Sequence, residues 1–353
     1  MNITRKIKII CEEAYAESIW CKQLLGGLIK ELKRRRLSYE QIDHAKGLDG
    51  QDNILIIGLS DAWTGRVIGK CNAAGCVPIV LSNRSRRTGD GQYHFICPDT
   101  HGAVKALKEA FMTAGRTKIA LYAANRTVDL DRDRTEIFAG LVQDSSDMYS
   151  NKGNLENCFR SFFPKAALYD AVICVNGYAA VSLVKKLEKE NRQLLEKLVI
   201  ISFEEVLKHS KYNQWISQID LNLEAYGAVA MNVLEMVSQG NEISAVTAEM
   251  KCRMCEIRKK DWEITAEEDT AEALPYEDPE LIYMAKVEQL MRDADDMDHH
   301  IIAMLLDHAT YAEIADTCYM TEGNVKYRAK KYMSICGCKT KKELLELLKE
   351  YIQ

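Results

Sequence analysis

Short runs of apolar, mostly β-branched residues recur through the first 260 residues, separated by segments with helical spacing. Several runs are apolar at consecutive positions, as strands buried on both faces of a sheet are. Between the runs, apolar residues recur every three or four positions, for example at Trp20, Leu24 and Leu28. This alternation predicts an α/β fold with parallel sheets and right-handed crossovers. The predicted strands are residues 6–10, 53–59, 77–81, 94–99, 118–122, 170–175 and 198–203.

Charge, hydrophobic pattern and cysteine content indicate which partners and which cellular compartment to expect. The formal net charge is −5, so the chain as a whole has no basic field that would attract nucleic acid, and only local fields could do so. No apolar run reaches the roughly 18 residues that span a bilayer, and residues 1–10 do not resemble a signal peptide. Twelve cysteines in 353 residues fit a reducing compartment. We expect a cytoplasmic protein without a membrane partner.

Parallel sheets bind ligands beyond the carboxyl ends of their strands. The sequence contains neither a dinucleotide fingerprint nor a phosphate-binding loop, so we expect no cofactor and no catalytic residues. The polar and aromatic residues that follow the strands are therefore candidates for ligand binding. They are Glu12, Asp61, Trp63, Asn125, Asn176 and Glu204.

The stretch DTHGAVKALKEAFMTAGRTKIAL at 99–121 resembles a signature of the LacI/GalR-type sensor domain, a periplasmic-binding-protein-like fold. Residues 134–141, 169–180, 198–206 and 220–240 resemble further elements of that family, in the family's order. The resemblance covers residues 5–260 and implies two lobes joined by three crossing segments, with a ligand in the cleft between them. The implied crossings lie near 99–102, 219–222 and 250–252. They divide the chain into lobe one, 1–101 and 222–250, and lobe two, 102–221 and 251–260.

Three departures from the family pattern bear on the ligand. Ile137 stands where the family has glycine, Gly177 replaces an aspartate after Asn176, and Glu204 with Glu205 replaces a pair of aspartates. Sugar-binding relatives use those carboxylates for hydroxyl groups, so the effector need not be a sugar and we leave it as an unknown polar small molecule. Arg134 matches the family arginine, and its planar guanidinium can hold a carboxylate, phosphate or hydroxyl. A structural ion pair with Asp131 is the alternative role for Arg134.

The composition changes after residue 260. Residues 260–300 carry a net charge of −11, and 261–280 reads as an acidic linker. Residues 281–353 then have the spacing of short helices, with Thr310, Thr321 and Thr340 as predicted N-caps. Only Tyr319 and Met320 link the second and third of these helices, which predicts a tight helix-turn-helix.

The predicted third helix begins a strongly basic stretch. Residues 322–342 carry a net charge of +6. A basic helix behind a tight turn has the size and sign to enter a DNA major groove. Residues 305–333 and 338–345 resemble the LuxR-type DNA-binding domain, which implies that helix 322–334 reads double-stranded DNA and that the chain forms a homodimer. The DNA-contact candidates are Thr310, Thr321, Glu322, Asn324, Lys326, Tyr327, Lys330 and Lys331.

Other signals leave alternatives. The pairs Cys252–Cys255 and Cys336–Cys338 could suggest zinc, but each lacks the further ligands that zinc sites need, so we expect no metal. Adjacent Glu12 and Glu13 could suggest acid–base catalysis, although neighbouring residues at a strand end point apart. We predict a one-component transcriptional regulator. A non-catalytic partner-binding module with a vestigial ligand cleft is the alternative, and an enzyme on a doubly wound sheet is a third, less supported interpretation.

Overall fold

The computed structural model describes residues 6–43, 45, 47–85, 87, 91–125, 127–139, 147–151, 154–203, 210–238, 243–254 and 279–352. Several predictions lie wholly or partly outside these residues, among them the pairing of Cys255 with Cys252, of which only Cys252 is described. Two others are the ligand role of Glu204 and the acidic linker, of which only positions 279 and 280 are described.

The strands and helices alternate through the first 250 residues, as the sequence predicts. The strands are β1 (Ile7–Cys11), β2 (Tyr39–Gln41), β3 (Asn53–Ile57), β4 (Ile79–Leu81), β5 (His94–Pro98), β6 (Ile119–Ala124), β7 (Met148–Ser150), β8 (Ala171–Cys174), β9 (Val199–Phe203), β10 (Ile216–Asp220), β11 (Thr247–Met250) and β12 (Arg253–Met254). The helices are α1 (Ile19–Arg34), α2 (Asp61–Ala73), α3 (Thr100–Thr113), α4 (Asp129–Ala139), α5 (Leu155–Phe162), α6 (Gly177–Glu190), α7 (Arg192–Lys197), α8 (Tyr226–Ser238), α9 (Pro279–Asp293), α10 (Asp296–Leu306), α11 (Tyr311–Thr317), α12 (Glu322–Cys336) and α13 (Lys341–Tyr351).

These strands form two six-stranded sheets, which confirms the predicted fold class. The first sheet has the order β11-β5-β4-β3-β1-β2, and its strand pairs are parallel. The second has the order β12-β10-β9-β8-β6-β7, in which β12 runs antiparallel to β10. The central strands β3, β6, β8 and β9 are almost wholly buried, as their continuous apolar sequences predict.

The chain divides into two compact units. The first comprises Met1–Thr117, Ala124–Asp147 and Ile219–Cys255, and the second comprises Lys118–Ala123, Met148–Gln218 and Glu256–Gln353. In the first unit, α1 packs against α8. A Cβ atom on Gly27 would lie 2.2 Å from the carbonyl oxygen of Glu224, and one on Gly227 would lie 2.4 Å from that of Gly27. Glycine at both positions therefore permits the close approach of these helices.

The C-terminal helices α9 to α13 belong to the second unit. Their common core includes Val287, Leu305, Ile314, Val325 and Leu348, each no more than 1% exposed. The predicted N-caps Thr310, Thr321 and Thr340 each accept a hydrogen bond from the first turn of their helices. Helix α10 begins earlier than the predicted residue 300, because Asp295 and Asp298 form a reciprocal capping box.

Candidate functional site

Glu12 lies at the end of β1 and is 3% exposed. Its carboxylate accepts hydrogen bonds from the backbone N–H groups of Leu59 (2.8 Å) and Ser60 (3.0 Å). Burial raises the pKa of Glu12, and these two hydrogen bonds partly oppose that shift. The side chain thus joins the end of β1 to the turn between β3 and α2.

Asp61, the first residue of α2, takes part in an ion cluster around Arg84. The Arg84 side chain is 1% exposed and follows β4. Its Nε and Nη2 atoms donate to both carboxylate oxygens of Asp133, at 2.6 and 2.9 Å. Its Nη1 donates to Asp61 Oδ1 at 2.6 Å and lies 3.7 Å from Asp129 Oδ2. One buried guanidinium therefore faces three carboxylates.

Arg132 completes the cluster. Its Nη2 lies 3.0 Å from Asp61 Oδ2 and 2.6 Å from Asp129 Oδ1. Asp129 also accepts a hydrogen bond of 2.8 Å from the backbone N–H of Asp61. We call this group the Arg84 cluster, and its members are Asp61, Arg84, Asp129, Arg132 and Asp133. Buried charges persist only when they are paired and hydrogen-bonded, and this geometry satisfies that condition for Arg84.

The remaining ligand candidates lie in different settings. Asn125 is 6% exposed, and its Oδ1 accepts from the backbone N–H and the hydroxyl group of Thr127. Arg134 is buried in α4, and Trp63 is half-buried against the apolar cluster of the first sheet. Asn176 belongs to the second unit and caps α6 by accepting from the backbone N–H of Ala179 at 2.9 Å. The structure brings Glu12 and Asp61 together at one turn, whereas their roles in ligand binding stay predictions.

Arg84 is not among the site residues predicted from the sequence. The signal was present, because Arg84 follows β4 by only three positions and residues beyond parallel strands are those that face ligands. The spacing of Asp129 and Asp133 was a second signal, since residues four apart share one face of a helix. No periodicity, however, could show that α4 supplies the partners of Arg84.

Helices α11 and α12 are joined by the short turn that the sequence predicts, residues 318–321. Ile314, Ala315 and Val325 pack at the corner and are 0%, 5% and 0% exposed. The DNA-contact candidates on and before α12 are exposed, as is Thr310 at the start of α11. They are Thr321, Glu322, Asn324, Lys326, Tyr327, Lys330 and Lys331.

A buried network attaches α12 to α10. Asp298 is 2% exposed and accepts a hydrogen bond from the Arg328 guanidinium and one of 2.5 Å from the Tyr332 hydroxyl group. Burial alone would raise the pKa of Asp298, but the hydrogen bonds from Tyr332 and Arg328 outweigh it and lower that pKa. Arg328 is thereby turned toward its own domain, while the lysines of α12 remain in solvent.

These lysines form what we call the α12 lysine face, defined by Lys326, Lys330 and Lys331. The side chains of Lys326 and Lys331 are 52% and 48% exposed. Lys326 pairs with Glu322 one turn earlier, at 2.6 Å, and Lys331 lies 3.9 Å from Asp298. The Lys326–Glu322 pair is exposed on both sides and therefore weak in water, so Lys326 can exchange it for an anionic partner.

Within the second unit, the C-terminal helices dock on α6. Glu280 of α9 accepts hydrogen bonds from Ser182 (3.1 Å) and Lys186 (2.7 Å) of α6. Lys185 pairs with Glu350 of α13 and lies over the Tyr351 ring. This contact involves α9 and α13 and leaves the α12 lysine face exposed.

Two absences hold for the described residues alone. No group of three or more histidine, cysteine, aspartate or glutamate side chains in that part of the chain could hold a metal ion. Helices long and apolar enough to cross a bilayer are also absent from the described segments.

No family model matches the sequence, and a comparison with curated proteins gave no match. Among solved structures, the Lac repressor bound to ONPG in its repressed state has a TM-score of 0.58 at 12% identity, with 72% of this chain and 81% of that one covered. The regulator CelR in complex with cellobiose has a TM-score of 0.55 at 12% identity, covering 71% and 83%. A LacI-family regulator from Mycobacterium smegmatis has a TM-score of 0.51 at 15% identity, covering 75% and 100%. The chain therefore shares the α/β fold, built on two sheets, of these transcriptional regulators.

Proposed function

We propose that this protein is a one-component transcriptional regulator that binds operator DNA through α11 and α12 and responds to a small polar effector bound by its α/β part. The observation that carries the proposal is the α12 lysine face, a set of exposed cations on a helix held in place by a tight turn and a partly buried ion pair. A rigid cationic helix of this kind fits a major groove.

Charge distribution supports the DNA partner. The whole chain is net −5, yet residues 322–342 are net +6. Exposed lysines near phosphates release condensed counterions on binding, so binding must weaken steeply as salt rises. The N-terminal end of α12, with Thr321, Glu322 and Asn324, is the part that would meet base edges, and the lysines would meet phosphates.

The sensor fold supports an effector. Solved structures with this fold include a Lac repressor dimer bound to operator DNA and the CelR–cellobiose complex. We infer that this chain likewise couples a small molecule to DNA binding and acts as a homodimer on two half-sites, with Arg134 as the ligand contact. Its effector would change operator affinity only by binding one conformation of the sensor better than the other.

The sharpest test removes two lysines from the α12 lysine face. The full-length Lys326→Ala/Lys330→Ala variant is titrated into a labelled DNA duplex taken from the region upstream of its own gene, at two or more salt concentrations. We expect weaker binding and a salt slope shallower by roughly one per lysine that contacts phosphate. Fluorescence anisotropy gives both quantities.

Lys189→Ala is the matched control, because Lys189 is also an exposed helical lysine, 83% exposed on α6, but lies outside the helix-turn-helix. That variant should bind as the parent does. An unchanged salt slope in the double variant, or parent protein that binds neither the upstream duplex nor a random one, would contradict the proposed function.

A further inference from the structure

Tyr319 occupies an unusual position in the turn between α11 and α12. Its side chain is 97% exposed, the most exposed large hydrophobic residue in the described part of the chain. Its backbone is left-handed, with φ of 53°. Left-handed backbone favours glycine and is strained for a residue with an aromatic side chain.

Folding therefore gives no reason for a tyrosine at this position. The ring is not buried, so it adds no packing to the domain. The backbone would be relaxed by glycine. A strained backbone and an unburied ring together point to a role outside the domain.

We propose that Tyr319 is a DNA contact that flanks the recognition helix, with its ring against the sugar–phosphate backbone and its hydroxyl group donating to a phosphate oxygen. This inference rests on the proposed DNA-binding function and extends it to a residue beyond α12. Tyr319 lies two positions before Thr321, the N-cap of α12. When the N-terminal end of a recognition helix enters the major groove, the residues just before it lie at the groove edge, where the backbone runs.

The chemistry of the surroundings selects the partner. Tyrosine hydroxyl groups are common donors to phosphates in protein–DNA complexes. The helix that follows carries exposed Lys326, Lys330 and Lys331, so the surface complements a polyanion, and Tyr327 on the same helix is 73% exposed. A second protein is the other possible occupant, and the test below separates the two.

The chain offers a matched control for backbone strain. His308, after the C-terminal end of α10, is exposed and left-handed with φ of 65°. Its Nε2 lies 2.7 Å from Lys349 Nζ, so this side chain has a contact inside its own domain. Replacing His308 by glycine relaxes the same kind of backbone without touching the turn before α12.

The experiment compares full-length Tyr319→Gly, Tyr319→Phe and His308→Gly variants. Each is titrated by anisotropy into a duplex from the chain's upstream region and into a random duplex of equal length, and each is heated to find its unfolding midpoint. We expect Tyr319→Gly to unfold at the parent temperature or higher, yet to bind both duplexes roughly three- to tenfold more weakly. The salt slope should stay close to that of the parent, because no charge is lost. Tyr319→Phe should lose the smaller part that belongs to the hydroxyl group.

Three other outcomes would overturn the inference, and one of them would also overturn the proposed function. Parent-like DNA affinity in both Tyr319 variants would overturn the inference while leaving the proposed function intact, and would favour a protein over DNA as the partner of the ring. An equal loss in His308→Gly would attribute the effect to backbone relaxation and also overturn it. Parent protein that binds neither duplex would overturn the inference and the proposed function together.

Discussion

The Arg84 cluster and the α12 lysine face use cationic side chains in opposite ways. Arg84 is 1% exposed and donates to Asp133 and Asp61, whereas Lys326 and Lys331 keep about half of their side-chain surface in water. A cation buried among carboxylates is committed to the folded chain, because removing its partners leaves an uncompensated charge. A cation on an exposed face costs little to redirect. The comparison indicates which charges hold the protein together and which are available to a partner.

Replacing Arg84 by methionine tests the first half of this comparison and should have the largest effect. The change leaves the carboxylate of Asp133, 4% exposed, without the bidentate guanidinium. We expect a loss of about 3–5 kcal/mol, as for other broken buried pairs. The midpoint of urea unfolding measures the change.

Two comparisons sharpen that result. Arg160→Met removes an exposed pair with Glu156 and should cost no more than about 0.5 kcal/mol. Adding Asp133→Leu to Arg84→Met removes the stranded charge and should recover part of the stability. If Arg84→Met were no worse than Arg160→Met, the Arg84 cluster would not be the stabilising element described here.

Asp298 is a buried charge, but it lies beside the exposed lysines of α12. It holds that helix in place through Arg328 and Tyr332. Asp298→Asn should cost about 1–3 kcal/mol near neutral pH, because two donors lose their charged acceptor. The pKa of Asp298 is lowered in the folded chain, so its contribution is complete above the unfolded pKa of about 3.9 and is lost as pH falls through the lower folded value.

The measurement therefore compares the destabilisation caused by Asp298→Asn at two pH values. The gap in unfolding midpoint between parent and Asp298→Asn should be clear at about pH 7 and should shrink at about pH 3. Asp296→Asn, an exposed change in the same helical turn, should leave the midpoint nearly unchanged at both. A gap that grew on acidification would mean that Asp298 is not the stabilised anion in this network.

The α12 lysine face could be predicted from the sequence, whereas the Arg84 cluster could not. The C-terminal helices were predictable because their determinants are local: Thr310, Thr321 and Thr340 cap helices, and the lysines of α12 repeat on one exposed face. The sheets were predictable from runs of buried β-branched residues, although β2, β7, β10, β11 and β12 lie outside the seven predicted strands. The Arg84 cluster was not predictable, because Arg84 and Asp133 are 49 positions apart and only the folded chain places them together.

Glu322→Gln has the smallest expected effect and directly tests the α12 lysine face. Glu322 pairs with Lys326 across one helical turn, with both side chains about half exposed, so stability should change by less than about 0.5 kcal/mol. If α12 binds DNA as proposed, affinity should rise about two- to fivefold at low salt, because a negative charge is removed from the face that would approach phosphates and Lys326 is released. Anisotropy with the upstream and random duplexes measures it, and the gain should appear with both, since phosphate contacts carry no sequence information.

Glu156→Gln breaks an equivalent one-turn pair with Arg160 elsewhere in the chain and should leave affinity unchanged. A loss of binding to the upstream duplex alone would instead show that Glu322 reads a base, and the α12 lysine face would then have to be divided into cations that meet phosphates and an acid that selects sequence.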